Sequence, residues 1–174
     1  MGSAHAGAPA LEPAEFLRAL RARGFDSFSG VPCSLVKQLL RLLSEEGAFL
    51  PANREDVALG IAAGAAMAGQ RPVVIMQNSG FGLSLNALMS LHMIYKLPTL
   101  LLVTWRGYQG KDAPEHVLMG PAMTGIMDAI KLPWRALEPT HTPAQILGAL
   151  EWADTTLRET QSPVALIVRE GALA

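Results

Sequence analysis

Two stretches of this chain, Pro72–Gln77 (PVVIMQ) and residues 98–104 (PTLLLVT), are almost unbroken runs of apolar side chains. A strand with one face in water alternates apolar and polar residues. A strand without alternation is covered on both faces, which is the condition of a parallel sheet lying between helices. The rest of the sequence supplies the helices. Residues 13–23 carry Phe16, Leu17 and Leu20 at helical spacing, with Gly24 placed to close the helix, and residues 34–43 repeat the pattern with Leu35, Leu39, Leu42 and Leu43. Further helices are expected over 53–69, 83–95, 121–130 and 142–160, and further strands over 25–31, 48–52, 134–137 and 163–169. Residues 105–120 (WRGYQGKDAPEHVLMG) hold three glycines, a proline and most of the local charge, so the sequence predicts a long loop. Six strands alternating with helices predict a three-layer α/β/α fold with a mainly parallel six-stranded sheet.

In such sheets ligands collect beyond the carboxyl ends of the strands. That rule gathers residues 30–34 (GVPCS), 53–55 (NRE), 78–82 (NSGFG) and 105–107 (WRG) onto one rim. Residues 53–69 (NREDVALGIAAGAAMAG) form the most distinctive of the helices. Asn53 is expected to cap it, and Glu55 and Asp56 occupy the first turn, where free N–H groups and the helix dipole favour a carboxylate. Gly60, Gly64 and Ala68 recur every four residues and leave one stripe nearly bare. Glycine inside a helix is about 1 kcal/mol worse than alanine, so the stripe is expected to meet another backbone at a subunit interface.

Half of the residues are hydrophobic but only 6% are aromatic, so the core must come from Ala, Leu, Val, Ile and the eight scattered Met. A formal charge of −1 with interspersed signs offers no basic stripe for nucleic acid and no polybasic anchor for a membrane. The apolar run near residues 97–103 is far shorter than the roughly 20 residues a spanning helix needs. Cys33 is the only cysteine, which excludes an internal disulfide and a cysteine metal site within one chain. A cytoplasmic protein is expected, with a flexible lead over 1–12 that includes His5 and one domain over 13–174. No GxGxxG follows the first strand and no GxxxxGK[ST] occurs, which speaks against a nucleotide-binding module. A non-catalytic scaffold of the same fold is the other reading.

Glu55 followed by small residues to Gly64 resembles the pyrimidine-binding domain of thiamine diphosphate enzymes. Within them, the words GVPCS (30–34), MQNSGFG (76–82), WRG (105–107) and VLMG (117–120) are similar to the sulfopyruvate and phosphonopyruvate decarboxylases. The resemblance spans about residues 13–170. It implies that Glu55 hydrogen-bonds N1′ of the aminopyrimidine of thiamine diphosphate, and that Asn78, Ser79 and Gly80 approach the pyrimidine or the substrate. It also implies an anionic keto acid substrate, for which Arg106, Lys111 and Ser34 are the candidate ligands. Among the four histidines His116 is the best placed for proton transfer, and His92 and His141 read as structural. For Arg106 and Lys111 the alternative is a solvated loop charge, for Ser34 a helix cap, for His116 a surface histidine and for Cys33 a buried filler. The GDG motif that family members use for Mg²⁺ and the diphosphate does not occur in this sequence. The resemblance therefore implies an α subunit with no metal site of its own, whose β subunit carries the diphosphate and Mg²⁺ in an α/β hetero-oligomer.

Overall fold

The computed structural model describes residues 10–110 and 112–173; residues 1–9, Lys111 and Ala174 lie outside the described residues. Most of the expected lead falls there. Ala10 and Leu11, however, donate backbone hydrogen bonds to the carbonyls of Gly171 and Ala172 (3.1 and 3.2 Å), and Leu11 is buried. The packed body thus begins ahead of Pro13.

The strands are β1 (Ser27–Gly30), β2 (Phe49–Pro51), β3 (Pro72–Gln77), β4 (Leu100–Thr104), β5 (Trp134–Leu137) and β6 (Val164–Val168). They form one sheet in the order β2-β1-β3-β4-β6-β5, and every pairing is parallel. The registers Val73↔Leu100, Leu100↔Val164 and Trp134↔Ala165 set the four strands β3, β4, β6 and β5 side by side. β4 and β6 are buried at every residue and β3 at all but Gln77, as unbroken apolar runs require. The direction of winding reverses between β1 and β3, and a crevice opens where such a reversal occurs.

One face of the sheet is covered by α1 (Pro13–Ala22), α2 (Lys37–Glu45) and α8 (Pro143–Thr160). Their core includes Phe16, Leu20, Leu39, Leu43, Ile146 and Leu150. α1 starts with proline in its first turn and ends where Gly24 takes φ +81°, a left-handed position that glycine accepts without Cβ strain. α8 begins with a capping box in which Thr142 and Gln145 satisfy each other's backbone N–H.

The other face is covered by α3 (Glu55–Met67), the short α4 (Asn78–Leu83) and α5 (Leu85–Ala87), a π-helical turn at Leu88–Met93, α6 (Pro114–Val117) and α7 (Met119–Ala129). Ala58, Leu59 and Ala62 of α3 pack there with Val74, Met76, Phe81, Leu88 and Met123. The small residues let α3 lie close to β1 and β3.

Four expectations are corrected. The cap of α3 is Arg54, without a side-chain cap bond, and not Asn53. Helix begins at Asn78, ahead of the expected start at residue 83, so that residues 78–82 are the first turns of α4. The helix expected over 83–95 is divided into α4, α5 and the π-helical turn. The region 105–120 is not a loop throughout: it holds a 3-10 turn at Tyr108–Gly110, then α6 and the start of α7. Its glycines are used for contact as well as for turning. Gly120 packs so closely that a Cβ there would lie 2.0 Å from the carbonyl oxygen of Gly107. Trp105 closes the segment by donating from Nε1 to that same residue's carbonyl, Gly120 O, at 2.8 Å.

Candidate active site

The crevice between β1 and β3 is fixed by backbone. Gly30 sits against Ile75, where any Cβ would clash at 2.0 Å with the carbonyl oxygen. Val31 N–H donates to Ile75 O (3.0 Å) and Ala52 N–H to Gly30 O (2.8 Å). These bonds bring the ends of β1, β2 and β3 together, and α3 starts a few residues after β2. Its first residue, Glu55, is therefore delivered to the rim beside the switch point.

Glu55 is a carboxylate with only 8% of its surface exposed. It lies over Gly80 in the first turn of α4, where a Cβ would come within 2.2 Å of Oε1 and 2.3 Å of Cδ. The chain keeps glycine where the carboxyl group needs the space. By contrast Asp56 points to water, paired with Arg54 (2.8 Å) and bonded to the N–H of Val57. Two neighbouring acids thus take opposite places: one pairs with Arg54 toward solvent and one is buried at the rim.

From Gly80 the contacts run along the rim. Asn78 is fully buried; its Nδ2 donates to the carbonyl of Arg106 (2.7 Å), while its Oδ1 has no partner. Ser79 is half-buried. Arg106 bonds Asp112 from one Nη (2.7 Å), and its buried Nε has no partner. Asp112 also accepts from the N–H groups of Gly107 and Ala113 (2.9 and 2.8 Å). Burial works to raise the Asp112 pKa, but those N–H donors and the Arg106 guanidinium outweigh it and hold the carboxyl below its ordinary value.

Gly107, at φ +70°, packs on the backbone of His116. His116 is buried in α6, not a surface histidine, and its Nδ1 has no partner. Glu55, Gly80, Asn78, Arg106 and His116 therefore belong to one linked series. Three of the series carry a buried polar atom without a partner, an unfavourable state that an arriving ligand or water relieves.

One expected residue stands apart. Ser34 is exposed in a 3-10 turn (Ser34–Val36) ahead of α2 and makes no side-chain cap bond. Its neighbour Leu35 lines a pocket of about 380 Å³ with Trp105, Arg106, Tyr108, Asp112 and Arg169. Lys111 lies outside the described residues. Cys33 is buried and accepts a hydrogen bond from Thr104 Oγ1 (3.1 Å), so it is a filler engaged with β4. His92 is structural: its Nε2 lies 2.9 Å from Leu59 O and its Nδ1 3.0 Å from Thr99 Oγ1. Asp112, Tyr108 and Arg169 were missed by sequence reasoning. Asp112 alone carried a signal, as an acid two residues before the helix-opening Pro114.

Among the described residues no group of three or more His, Cys, Asp or Glu could hold a metal ion, and no helix is long and apolar enough to cross a membrane.

Residues 14–131 match the family described as thiamine pyrophosphate enzyme, N-terminal TPP binding domain. A relative named sulfopyruvate decarboxylase subunit alpha, from Methanocaldococcus jannaschii, is 35% identical over 86% of this chain and 88% of its own length. A phosphonopyruvate decarboxylase of Streptomyces hygroscopicus is 30% identical over 94% of this chain, which spans only 41% of that protein. A solved thiamine diphosphate-dependent 4-hydroxybenzoylformate decarboxylase from Rhodococcus jostii superposes with a TM-score of 0.69 at 19% identity, over 93% of this chain and 30% of that one. The fold, the buried Glu55 at the head of α3 and these likenesses agree: the chain belongs to the thiamine pyrophosphate enzyme N-terminal domains, in the group of the sulfopyruvate decarboxylase α subunits.

Proposed function

We propose that this chain is the α subunit of a two-subunit, thiamine diphosphate-dependent decarboxylase that converts 3-sulfopyruvate to sulfoacetaldehyde and CO₂. The observation that carries the reading is the Glu55 carboxylate, buried at the rim over a glycine that leaves it room. A carboxyl group so placed fits the aminopyrimidine edge of the cofactor, and the unpartnered Asn78 Oδ1 supplies a second acceptor nearby. Removing CO₂ from a 2-keto acid leaves an electron pair on an acyl carbon, and the bound cofactor supplies the electron sink for it.

The chain's own residues hold and move protons and orient the substrate. Glu55 shares a proton with N1′ of the aminopyrimidine. Asn78, Ser79 and Gly80 form the wall beside it. Arg106, a planar fork of donors, holds the sulfonate, with Lys111 and Ser34 as its further candidate ligands. His116, buried in α6, serves as the proton donor to the decarboxylated carbon. The diphosphate and Mg²⁺ belong to the partner β subunit. Support for that partner comes from the exposed apolar side chains on the α3 face, including Val57, Leu83 and Leu118, and from the subunit names of the relatives. A sulfonate is favoured over a phosphonate by the closer likeness to the α subunits, and phosphonopyruvate is the second reading because its decarboxylase aligns with nearly the whole chain.

The test is exchange of the thiazolium C2 proton into D₂O by the assembly of this chain with its partner. General acid–base groups contribute about 10²- to 10⁴-fold. Glu55→Gln should slow exchange by about that factor with assembly intact. Exchange at the wild-type rate would remove Glu55 from the role and with it the main support for the reading.

A further inference from the structure

We infer that the pocket between residues 105–109 with Asp112 and the end of β6 is the subsite for the substrate's sulfonate, and that Arg169 forms its second wall beside Arg106. This rests on the keto acid reading above and adds to it a residue and a cavity. The pocket holds about 380 Å³ and is lined by both arginines together with Tyr108, Gln109, Asp112 and Glu170. It opens at the carboxyl ends of β4 and β6, on the same rim as Asn78.

Each guanidinium there is only partly used. Arg106 spends one Nη on Asp112, and its buried Nε has no acceptor. A buried donor without a partner is unfavourable, and Arg106 itself lines the pocket, so an acceptor oxygen there is the natural complement. Arg169 lies with its guanidinium carbon 3.6 Å from the centre of the Tyr108 ring and pairs with Glu138 through one Nη; its other nitrogens have no hydrogen-bond partner among the described residues. Stacking on Tyr108 fixes the orientation of the fork, and the pairing with Glu138 uses one Nη and leaves the other donors free.

The carboxylates in the wall do not close the site to an anion. Asp112 already accepts from Arg106, Gly107 and Ala113, and Glu170 is exposed to water. The pocket is therefore not strongly cationic, and selection comes from directed donors. Three oxygens of a tetrahedral anion can meet two forks at once, whereas a methyl group in the same place meets none. The backbone is shaped around the cavity too. Gln109 adopts φ +55° between Gly107 and Gly110 at φ +70° and +71°, and a left-handed residue without glycine's freedom is held there by its surroundings.

The probe is 3-sulfopropionate, which keeps the sulfonate and lacks the keto group. It is titrated calorimetrically into the full chain and into the assembly with the partner, with propionate as the control. Arg169→Gln should weaken 3-sulfopropionate by at least about tenfold, the worth of one charge-assisted contact, and leave propionate unchanged. Arg169→Lys, which keeps the charge but not the fork, should fall between, and serves if Arg169→Gln does not fold. Glu138→Gln removes the ion pair but spares the fork and should not weaken the probe. Wild-type affinity in Arg169→Gln, or equal weakening in Glu138→Gln, would make Arg169 a strut and overturn the inference. Kinetics keep it separate from the functional reading. If the assembly turns over sulfopyruvate and Arg169→Gln leaves KM unchanged, the subsite alone is refuted. If the assembly turns over pyruvate and not sulfopyruvate, the substrate reading fails, while Arg169-dependent binding of 3-sulfopropionate still supports the anion pocket.

Discussion

The two faces of the sheet are finished differently. Over the α1, α2 and α8 face the outer surface is charged and laced with ion pairs, Arg21–Glu46, Arg23–Glu151, Arg41–Glu45 and the pair of arginines on Asp154. Over the α3 to α7 face it is apolar. Of the nine large hydrophobic residues that are exposed among the described residues, all but Leu50 lie on the segments of that second face, among them Met67, Ile94, Tyr95 and Leu118. Gly60 and Gly64 lie bare on the same side, with no atom within 4 Å of where a Cβ would be. A monomer rarely leaves so much apolar surface in water. The comparison teaches that one face is closed by its own chain, whereas the other, which carries Glu55, is shaped for something else to cover it.

Matched glycines on the two faces give the sharpest way to break this contrast. On the second face Gly80→Ala would force the Glu55 carboxyl away from its place, since the new Cβ meets it at 2.2 Å. Displacement of a catalytic group by about 1 Å costs about 10²-fold, and that loss is expected in the C2 exchange rate of the assembly. On the first face Gly148→Ala meets nothing within 4 Å. It should leave the rate alone and raise chain stability by about 0.4–1 kcal/mol. A comparable loss of rate in both variants would erase the distinction.

Gly64→Leu sets the chain's own stability against its assembly. Nothing in the isolated chain opposes the larger side chain, and leucine is the better helix former by about 0.8 kcal/mol. The variant should melt slightly higher alone and fail to assemble with the proposed β subunit. Light scattering that shows the wild-type oligomer would place the interface elsewhere.

Asp154 tests the first face in turn. It is buried between Arg71 and Arg158, and Asp154→Asn leaves two like charges without their carboxylate. A loss of about 2 kcal/mol in urea unfolding is expected, with C2 exchange unaffected. A change in exchange without a change in stability would couple the closed face to the site.

The smallest effect concerns His92, which links α3 at Leu59 O to Thr99 at the start of β4. Burial holds its pKa below the ordinary 6.5 in the fold, so the neutral ring is the folded form. Its contribution is complete above about 6.5 and is lost as pH falls from there through the lowered folded value. Wild-type melting temperature should therefore drop as pH falls below about 6.5. His92→Gln should melt lower near neutrality but lose that part of the pH dependence. An identical pH profile in the variant would show that another group titrates.

Much of this was legible before any coordinates. PVVIMQ and PTLLLVT identify buried strands because short unbroken apolar runs rich in branched side chains, each opened by proline, suit a sheet covered on both faces. The acid at the head of a small-residue helix, with the motifs around it, led to Glu55. The segment 105–120 was misread because glycine and proline signal turns locally, while here Gly107 and Gly120 are required by backbone packing between residues distant in the chain. The helical state of Asn78–Leu83, ahead of the expected start at 83, was missed for the same reason: Gly80 interrupts a local helix pattern, and it is in fact the space beneath Glu55.

By itself, then, the sequence determined periodicity, and with it the strands and most of the helices. Those follow from interactions within a few residues, which leave a local pattern. Only the tertiary structure decided that His116 is buried, that Asp112 answers Arg106, that Arg169 reaches Tyr108 across the rim and that the unfinished face is the one bearing Glu55. Each of those depends on where the order β2-β1-β3-β4-β6-β5 sets strands that are far apart in the chain. A contact between distant residues leaves no period in the sequence from which it could be read.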